Sequence, residues 1–520
     1  LTECTKIILI LFFLLFKAVH TLFMHPLRYY ILNVCCLSLF LFFLIKSPPA
    51  LAQSPGSAYF IKDTTINYIE LTGFSGTTDQ TPFWMQANQY GMVPKSSSAA
   101  SLRLGIEKMW NLDANNFWRF GAGVEAAGNI TSKKTDLLLP QAYATLRFKN
   151  WEIYAGRRKM NVGLADSTLG TGSYAWSGNA LPIPRISIGT RGFVTVPLTK
   201  GWLSLNGFYS DGFFENSRPV TSELKLHQKM LYLRLGKAFS RVKIYGGFNH
   251  QVQWGGKSDF NTEDGQMPKG FKNYINVITG KAHSKNPGIN DNTGRVGNHL
   301  GTLDIGLEIE TYGSTLLFYR QSIYEDGSLI WLSNIADGLN GFRIKRKHSY
   351  GSDFEINTFV FEYMYTKNQG GDVADWSMPS WARGKDDYFN NGQVRDGWSY
   401  HDRTIGTPFI PPSSDTRWNW PVFANFMTSN NRVGVIHTGI QGTLFQKIDW
   451  LTKLSYSSNS GTFDLAFENS PKQFSGLLTL QTKADLLGGT IIKGSFAADI
   501  GDLYRKNYGF SLGLRKDFSL

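Results

Sequence analysis

YATLRFKNWEIYAG, residues 143–156, alternates in both directions from its centre. If Lys149 and Asn150 form a two-residue turn, Phe148 faces Trp151, Leu146 faces Ile153 and Ala144 faces Ala155 on one side, while Arg147 meets Glu152 on the other. Asn150 tolerates the left-handed backbone that such a turn requires. A hydrophobic ladder on one face and a charge pair on the opposite face is the combination that cross-strand pairing rewards. The segment therefore reads as a β-hairpin whose two faces meet different surroundings.

The same two-residue period recurs along the chain. Leu102, Leu104 and Ile106 share one face; so do Trp118, Phe120, Val124 and Ala126, opposite Arg119, Gly121, Gly123 and Glu125. Leu303, Ile305, Leu307 and Ile309 alternate with Asp304, Gly306, Glu308 and Glu310. Candidate strands fall near 66–73, 102–110, 117–127, 141–148, 151–158, 190–197, 202–209, 229–236, 241–250, 301–310, 315–322, 353–365, 432–445, 448–457, 474–484, 489–499 and 507–518. Short connections (149–150, 237–240, 311–314, 446–447) alternate with long ones (74–101, 159–189, 251–300, 323–352). Tight turns at one end and long loops at the other are the pattern of a transmembrane antiparallel β-barrel with periplasmic turns and extracellular loops. An even strand count needs one more strand, which parity places within 366–431, giving about eighteen. In the final segment, YGFSLGLRKDFSL (508–520), the apolar face looks at lipid and the Gly/Ser/Arg face into a lumen. Phe518 resembles the aromatic of the terminal strand read by the outer-membrane assembly machinery, although two residues follow it. A soluble β-sandwich or propeller would leave the glycines and charges facing water instead.

Composition agrees. Of 520 residues, 53 are Gly, 14% are aromatic and only 18% are charged, against about 25% charged in ordinary soluble domains. Beyond residue 52 no run approaches the ~20 apolar residues of a membrane helix. Residues 1–52 read as a leader: Met24 as the start, Arg28, an apolar run over 30–45 and a cleavage site at Ala50-Leu51-Ala52, so that the exported chain begins near Gln53. Residues 1–23 read as an upstream extension, 53–100 as a segment holding a first strand and a plug or lid, and 101–520 as the barrel. All three cysteines (Cys4, Cys35, Cys36) lie in the leader, so the exported part has no disulfide framework, thiolate metal site or cysteine nucleophile. Its net charge falls from +13 to about +10 once Lys6, Lys17, Arg28 and Lys46 are removed with Glu3. That surplus suits a polyanion outside the cell better than nucleic acid.

Signals for catalysis are few. G-x-S-x-G and H-E-x-x-H are missing. His227, His250, His283, His299, His348, His401 and His437 are not at metal-ligand spacing. His437 shares a strand face with Val433 and Val435 and reads as a packed wall residue. The expectation is no enzyme, no cofactor and no metal site.

Local sequences carry a resemblance. TPFWMQANQYG (81–91), QAYATLRFKNWEIYAGRRK (141–159), QVQWGG (251–256), GNHLGTLDIGLE (297–308), YRQSIYEDGS (319–328), NIADGLNG (334–341), FNNGQVRDGWSYHDRTIGTPF (389–409) and NNRVGVIHTGIQG (430–442) resemble the Wzi-type capsule assembly proteins in their Bacteroidetes form. The resemblance implies an eighteen-stranded lectin-like outer-membrane barrel, plugged on the periplasmic side, that helps to hold capsular polysaccharide on the bacterial surface. It implies as partners capsular or other surface polysaccharide, outer-membrane lipid and lipopolysaccharide, and the assembly machinery during biogenesis. A porin for small solutes and, behind it, an outer-membrane hydrolase are the competing readings.

Sugar rings present apolar C–H patches and many hydroxyls, so aromatic faces beside amides and carboxylates are the expected contacts. Three stretches have that mixture: Tyr319, Arg320, Gln321, Asp326 and Trp331; Gln253 and Trp254; and Tyr388, Asn391, Trp398 and Tyr400. Interfacial girdles use the same aromatics. The basic run FRIKRKH (342–348) reads as a loop segment, and TPFWMQANQYGMVP (81–94) as a lid or plug with a short helix beginning at Thr81 or Pro82.

Overall fold

The computed structural model describes residues 67–519, apart from 263, 281–294, 326–328, 330–331, 376, 378–383, 418–419 and 421–425. The proposed leader lies outside the described residues.

Eighteen strands form the wall. They are β1 (Asn67–Gly76), β2 (Ala99–Asn111), β3 (Trp118–Thr131), β4 (Thr135–Phe148), β5 (Trp151–Arg157), β6 (Arg185–Thr190), β7 (Leu203–Phe213), β8 (Lys225–Leu235), β9 (Val242–Trp254), β10 (Asn298–Glu310), β11 (Ser314–Tyr324), β12 (Gly338–Arg346), β13 (Phe354–Tyr365), β14 (Val433–Leu444), β15 (Ile448–Asn459), β16 (Lys472–Ala484), β17 (Thr490–Gly501) and β18 (Asn507–Phe518). A two-residue piece, Val194–Thr195, continues β6 alongside β7. All pairings are antiparallel between neighbours in sequence, and β1 closes the ring by pairing with both β2 and β18: Leu71 faces Leu102 on one side and Leu514 on the other. Closure satisfies the backbone groups of every strand, which an open sheet in hydrocarbon could not do.

The β4–β5 hairpin has the register read from the sequence, with Phe148 opposite Trp151, Leu146 opposite Ile153 and Arg147 opposite Glu152. Its turn differs in one respect: Lys149, not Asn150, takes the left-handed conformation, at φ 51°. The Lys149 ammonium then lies over Phe117, 4.6 Å from the ring centroid, a cation–π contact that offsets the steric cost of that conformation.

Side chains are sorted as they are in a bilayer. Leu104, Ile106, Val124, Ile153, Val242, Ile244, Ile305, Ile436 and Phe496 are exposed on the outer wall, while Arg103, Glu125, Arg147, Glu152, Lys243, Asp304 and Lys453 are buried on the inner one. A water-soluble fold would have these reversed.

Three strands depart from the sequence reading: alternation placed one at 190–197, but β6 runs over Arg185–Thr190, its lipid face only Ile186 and Ile188, and Val194–Thr195 alone continues it. The eighteenth is β12, Gly338–Arg346, and the described residues of 366–431 contribute only the small hairpin of Ser399–Tyr400 with Arg403–Thr404. On the outer face β12 offers little beyond Phe342 and Ile344, and its inner face carries Gly341, Arg343 and Lys345. That composition reads as a basic loop, yet Phe342 pairs with Phe318 and Phe361 on the flanking strands. Strand β4 also begins earlier than expected, at Thr135, because the register shift between Glu125 and Ala127 accommodates Pro140. A proline fits a strand at such a bulge, where no ladder hydrogen bond is required of it.

The lumen is filled from the long-loop end. Connections 77–98, 158–184 and 366–432 fold back between the walls and meet in one apolar cluster that includes Trp84, Leu164, Tyr174, Trp176, Tyr388, Phe389, Trp398 and Phe409. Segment 77–98 carries a single-turn helix, α1 (Phe83–Gln86), starting after Pro82. Among the described residues the filling enters from the long-loop end.

Candidate functional site

Each plug segment is fastened to the wall by polar side chains on the inner face. The Trp84 indole donates to Ser455 Oγ at 3.0 Å, and the Phe83 amide to Asp499 at 2.8 Å. Glu362 accepts from the Thr171 amide at 2.5 Å and from the Tyr319 hydroxyl. Gln321 donates to Asp304 at 2.8 Å and accepts from the Tyr174 amide at 2.9 Å.

The residues expected to bind sugar fall into this plug and its anchors. Tyr319 and Gln321 face inward, 5% and 0% exposed. Arg320 points the other way, donating to Asn340 of β12 at 2.8 Å and to the Asp337 carbonyl in the loop before it at 3.0 Å. Gln253 is buried, donating to the Gly397 carbonyl at 2.9 Å, and Trp254 is packed against Tyr274 with the Lys225 ammonium over its ring. Tyr388 is 0% exposed and donates to Asp337 at 2.8 Å. Asn391 caps a turn by accepting the Gln393 and Val394 amides. Trp398 is 0% exposed, and Tyr400, 1% exposed, accepts from Arg157 at 2.9 Å. Asp326 and Trp331 lie outside the described residues. The structure thus brings Tyr388, Trp398 and Tyr400 together with Gln253 around one buried loop and leaves Arg320 apart from them.

A different set of side chains is presented at the outer mouth. There a cleft open to solvent runs between α1, the 403–415 stretch and the 502–507 turn. Phe83 and Tyr504 form its apolar side, stacked at 5.8 Å and 23°, with Pro408, Pro411 and Pro412 beside them. Lys95 holds Asp415 through both carboxylate oxygens, at 2.7 and 2.9 Å. Arg403 donates to Gln86 at 3.0 Å and to the Val93 carbonyl at 2.6 Å. Asn507 donates to the Gln80 carbonyl at 2.6 Å, and the exposed Arg505 lies beside Asp79. Burial pulls the Lys95 ammonium below its usual range while Asp415 pushes back; burial also raises the Tyr504 phenol. Prolines and rings line the apolar side, and the partly exposed Lys95, Asp415 and Arg505 beside them can exchange their partners for hydroxyls or for an acidic sugar, whereas Arg403 and Asn507 are buried. No group of three or more His, Cys, Asp or Glu poised for a metal ion occurs among the described residues.

Sequence reasoning reached part of this cleft through the motifs at 81–91 and 389–409 but passed over Lys95, Asp415, Tyr504 and Asn507. They are far apart in the chain, Lys95 and Asp415 in two different long connections, Tyr504 in the 502–506 turn and Asn507 at the start of β18, with no alternation to mark them. The proline-rich stretch Pro408–Pro412 was the one signal available, because prolines mark a rigid connection.

A family model described as "Capsule assembly protein Wzi" matches residues 78–411. Among solved structures, the Escherichia coli outer membrane protein Wzi, involved in group 1 capsule assembly and described as a carbohydrate binding β-barrel, aligns with TM-score 0.56 at 16% identity, covering 87% of this chain and 85% of that one. OccAB4 of Acinetobacter baumannii aligns with TM-score 0.44 at 11% identity, covering 88% and 99%. OccK5 (OpdH) of Pseudomonas aeruginosa aligns with TM-score 0.43 at 10% identity, covering 89% and 99%. Comparison with curated proteins gives no match.

Proposed function

The chain belongs to the Wzi capsule assembly protein family, and from that premise we propose that it is an outer-membrane barrel that binds surface polysaccharide at its outer mouth and holds capsule to the cell. The observation that carries this reading is the pairing of a filled lumen with an open, mixed apolar and polar cleft on the extracellular side. A channel needs a continuous aqueous path; three inward-folded connections tied to the wall work against one. A sugar-binding surface needs rings and hydroxyl-matching groups held rigid, and the cleft around Phe83, Tyr504, Lys95 and Asp415 has them. We assign the buried set of Tyr319, Gln321, Gln253, Trp254, Tyr388, Asn391, Trp398 and Tyr400 a supporting role, fixing the loops whose outer surfaces meet the polymer. Lipopolysaccharide contact at the rim and engagement with the assembly machinery during insertion belong to the same proposal. The chain is read as a binding protein, not an enzyme.

The test is deletion of the gene followed by staining for capsule on cells and in the medium. Capsule shed to the medium is the expected result; capsule retained at wild-type density on the deletion strain overturns the proposal. Purified protein in detergent is expected to retain the capsular polymer of its own strain on a column.

A further inference from the structure

A second cavity lies where the chain leaves the wall after β5 and re-enters it at β6. Among the described residues lining it are two arginines, Arg158 and Arg185, and no acid. Arg185 is 3% exposed. Its Nη1 donates to Gln228 at 2.6 Å, and its guanidinium lies over Trp176, 4.7 Å from the ring centroid. Its Nε and Nη2, which share one edge of the guanidinium, are buried without a hydrogen-bond partner. Arg158 places Nη2 2.6 Å from Glu152 and leaves Nη1 buried and unpartnered. The hydroxyl of Tyr154, whose ring lies under Arg158 at 4.0 Å, is likewise buried and without a partner.

Glu152 is shared by three arginines, with Arg147 at 2.7 Å and Arg191 at 4.0 Å in addition to Arg158. That carboxylate is already engaged, and no acid among the described residues lining the cavity supplies Arg185 with a counter-charge. A buried cation without one is strongly unfavourable. Stacking on Trp176 and a single amide offset only part of that cost. The free Nε–Nη2 edge is the one that takes two oxygens of a planar or tetrahedral oxyanion side by side. The arginine fork and the second guanidinium N–H form a set of donors with no carboxylate among the described lining residues.

We propose that Arg158 and Arg185 form an anion site inside the wall that takes a single oxyanion group, either free phosphate or the acid group of a sugar. The site is separate from the cleft at the mouth and does not rest on the polysaccharide reading. The oxyanion bridges the Arg185 edge and Arg158 Nη1, and gives Arg185 a counter-charge where the 158–184 segment is pinned to the barrel.

The experiment is calorimetric titration of the folded full-length protein in detergent, at constant ionic strength in chloride buffer. Three probes are used: inorganic phosphate, glucuronate and, as the neutral control, glucose. Saturable binding of phosphate is expected, with glucose giving none. Binding of glucuronate with comparable affinity identifies a sugar acid group as the natural occupant; binding of phosphate alone identifies the free ion. Arg185→Gln and Arg158→Gln are each expected to weaken binding at least tenfold while the barrel keeps its heat-modifiable band on a gel. If either variant fails to fold, the wild-type protein still decides the question: phosphate at saturation is expected to slow amide exchange in residues 158–184. The proposal is overturned if neither anion binds saturably, if glucose binds as well as glucuronate, or if binding survives both substitutions.

Discussion

His437 Nε2 lies 2.6 Å from the carbonyl oxygen of Leu169, and His437 Nδ1 lies 2.8 Å from Ser455 Oγ. A carbonyl can only accept, so Nε2 carries the proton and Nδ1 accepts from the serine. Ser455 in turn accepts from the Trp84 indole. One relay of hydrogen bonds, with the histidine on β14 and the serine on β15, thus ties the 77–98 and 158–184 connections to the same part of the wall.

Replacing His437 by Phe leaves the Leu169 carbonyl without its donor while keeping most of the side-chain volume. Leaving a buried polar group unsatisfied costs about 1–3 kcal/mol. The thermal midpoint of the detergent-solubilised protein is expected to fall, and protease is expected to cut within 158–184 before it cuts the barrel. Unchanged midpoint and cleavage pattern would show that the relay does not hold the plug.

Gly439 tests the same contact by volume. A Cβ at that position would run into the backbone of Leu169. Gly439→Val is therefore expected to push the 158–184 segment out of the lumen. In a planar bilayer the wild-type protein is expected to show no steady conductance and the variant to show open-channel events. Conductance from the wild-type protein would argue for the porin reading instead.

The barrel was legible because lipid imposes a strict period on any strand that crosses it. Ile153, Leu303 and Phe496 fall where alternation put them, and the 143–156 hairpin has its register in every pair. What alternation could not reveal is a strand whose lipid face is short, and β12 is that strand: Phe342 and Ile344 carry the signal almost alone amid Arg343, Lys345 and Arg346. His437 looked like a wall residue because its face also carries Val433 and Val435, yet that face packs on the plug, with His437, Val433 and Val435 all at 0% exposure. The aromatic loop residues were hardest to read. Trp398 and Tyr388 have the composition of a sugar platform, but three connections folding into one lumen give buried aromatics in a loop, which local sequence does not distinguish from exposed ones.

Ile305 stands near the middle of β10 and is 64% exposed on the outer wall. A lysine on the lipid face at the bilayer midplane costs roughly 2–4 kcal/mol. Ile305→Lys is expected to lower folding yield into lipid vesicles and the urea midpoint, with Ile305→Leu close to wild type. Equal behaviour of the two would mean that this face does not meet hydrocarbon.

Asp387, in the 366–432 connection, has its carboxyl pushed up to about 6 by burial, against the pull of amide donors on Asn390 and Asn431. The nearby Asp464 raises it further, and Lys385, which is itself paired with Asp464 at 2.6 Å, lowers it. The folded value lies above the unfolded one, so the native loop binds the proton more tightly and its stability rises as pH falls from 7 through 6 toward 4. Asp387→Asn keeps an oxygen for both amide donors and removes the titration. It is expected to flatten the pH dependence of loop proteolysis between pH 4 and 7 and to match the acid-stabilised wild type at pH 7. A wild-type loop that loosens on acidification over that range would contradict the assignment.

Tyr504 and Trp398 separate a ligand-facing ring from a structural one. Tyr504 is half-buried at the mouth, stacked on Phe83, with Asp415 and Lys95 across the cleft. Trp398 has no exposed surface and lies within the plug cluster. An aromatic stacking face contributes about 0.5–1.5 kcal/mol beyond its buried area, so Tyr504→Ala is expected to weaken retention of capsular polymer by roughly tenfold with the thermal midpoint within a degree or two of wild type. Trp398→Ala opens a cavity among packed rings, a change that costs about 3–5 kcal/mol, and is expected to show first as a lowered midpoint, with any loss of polymer following from the loosened loop. Affinity chromatography on immobilised polymer, run beside thermal melts of the same samples, gives both quantities. If Tyr504→Ala melts early while retaining polymer normally, the cleft is a packing seam and the polymer meets another part of the outer surface.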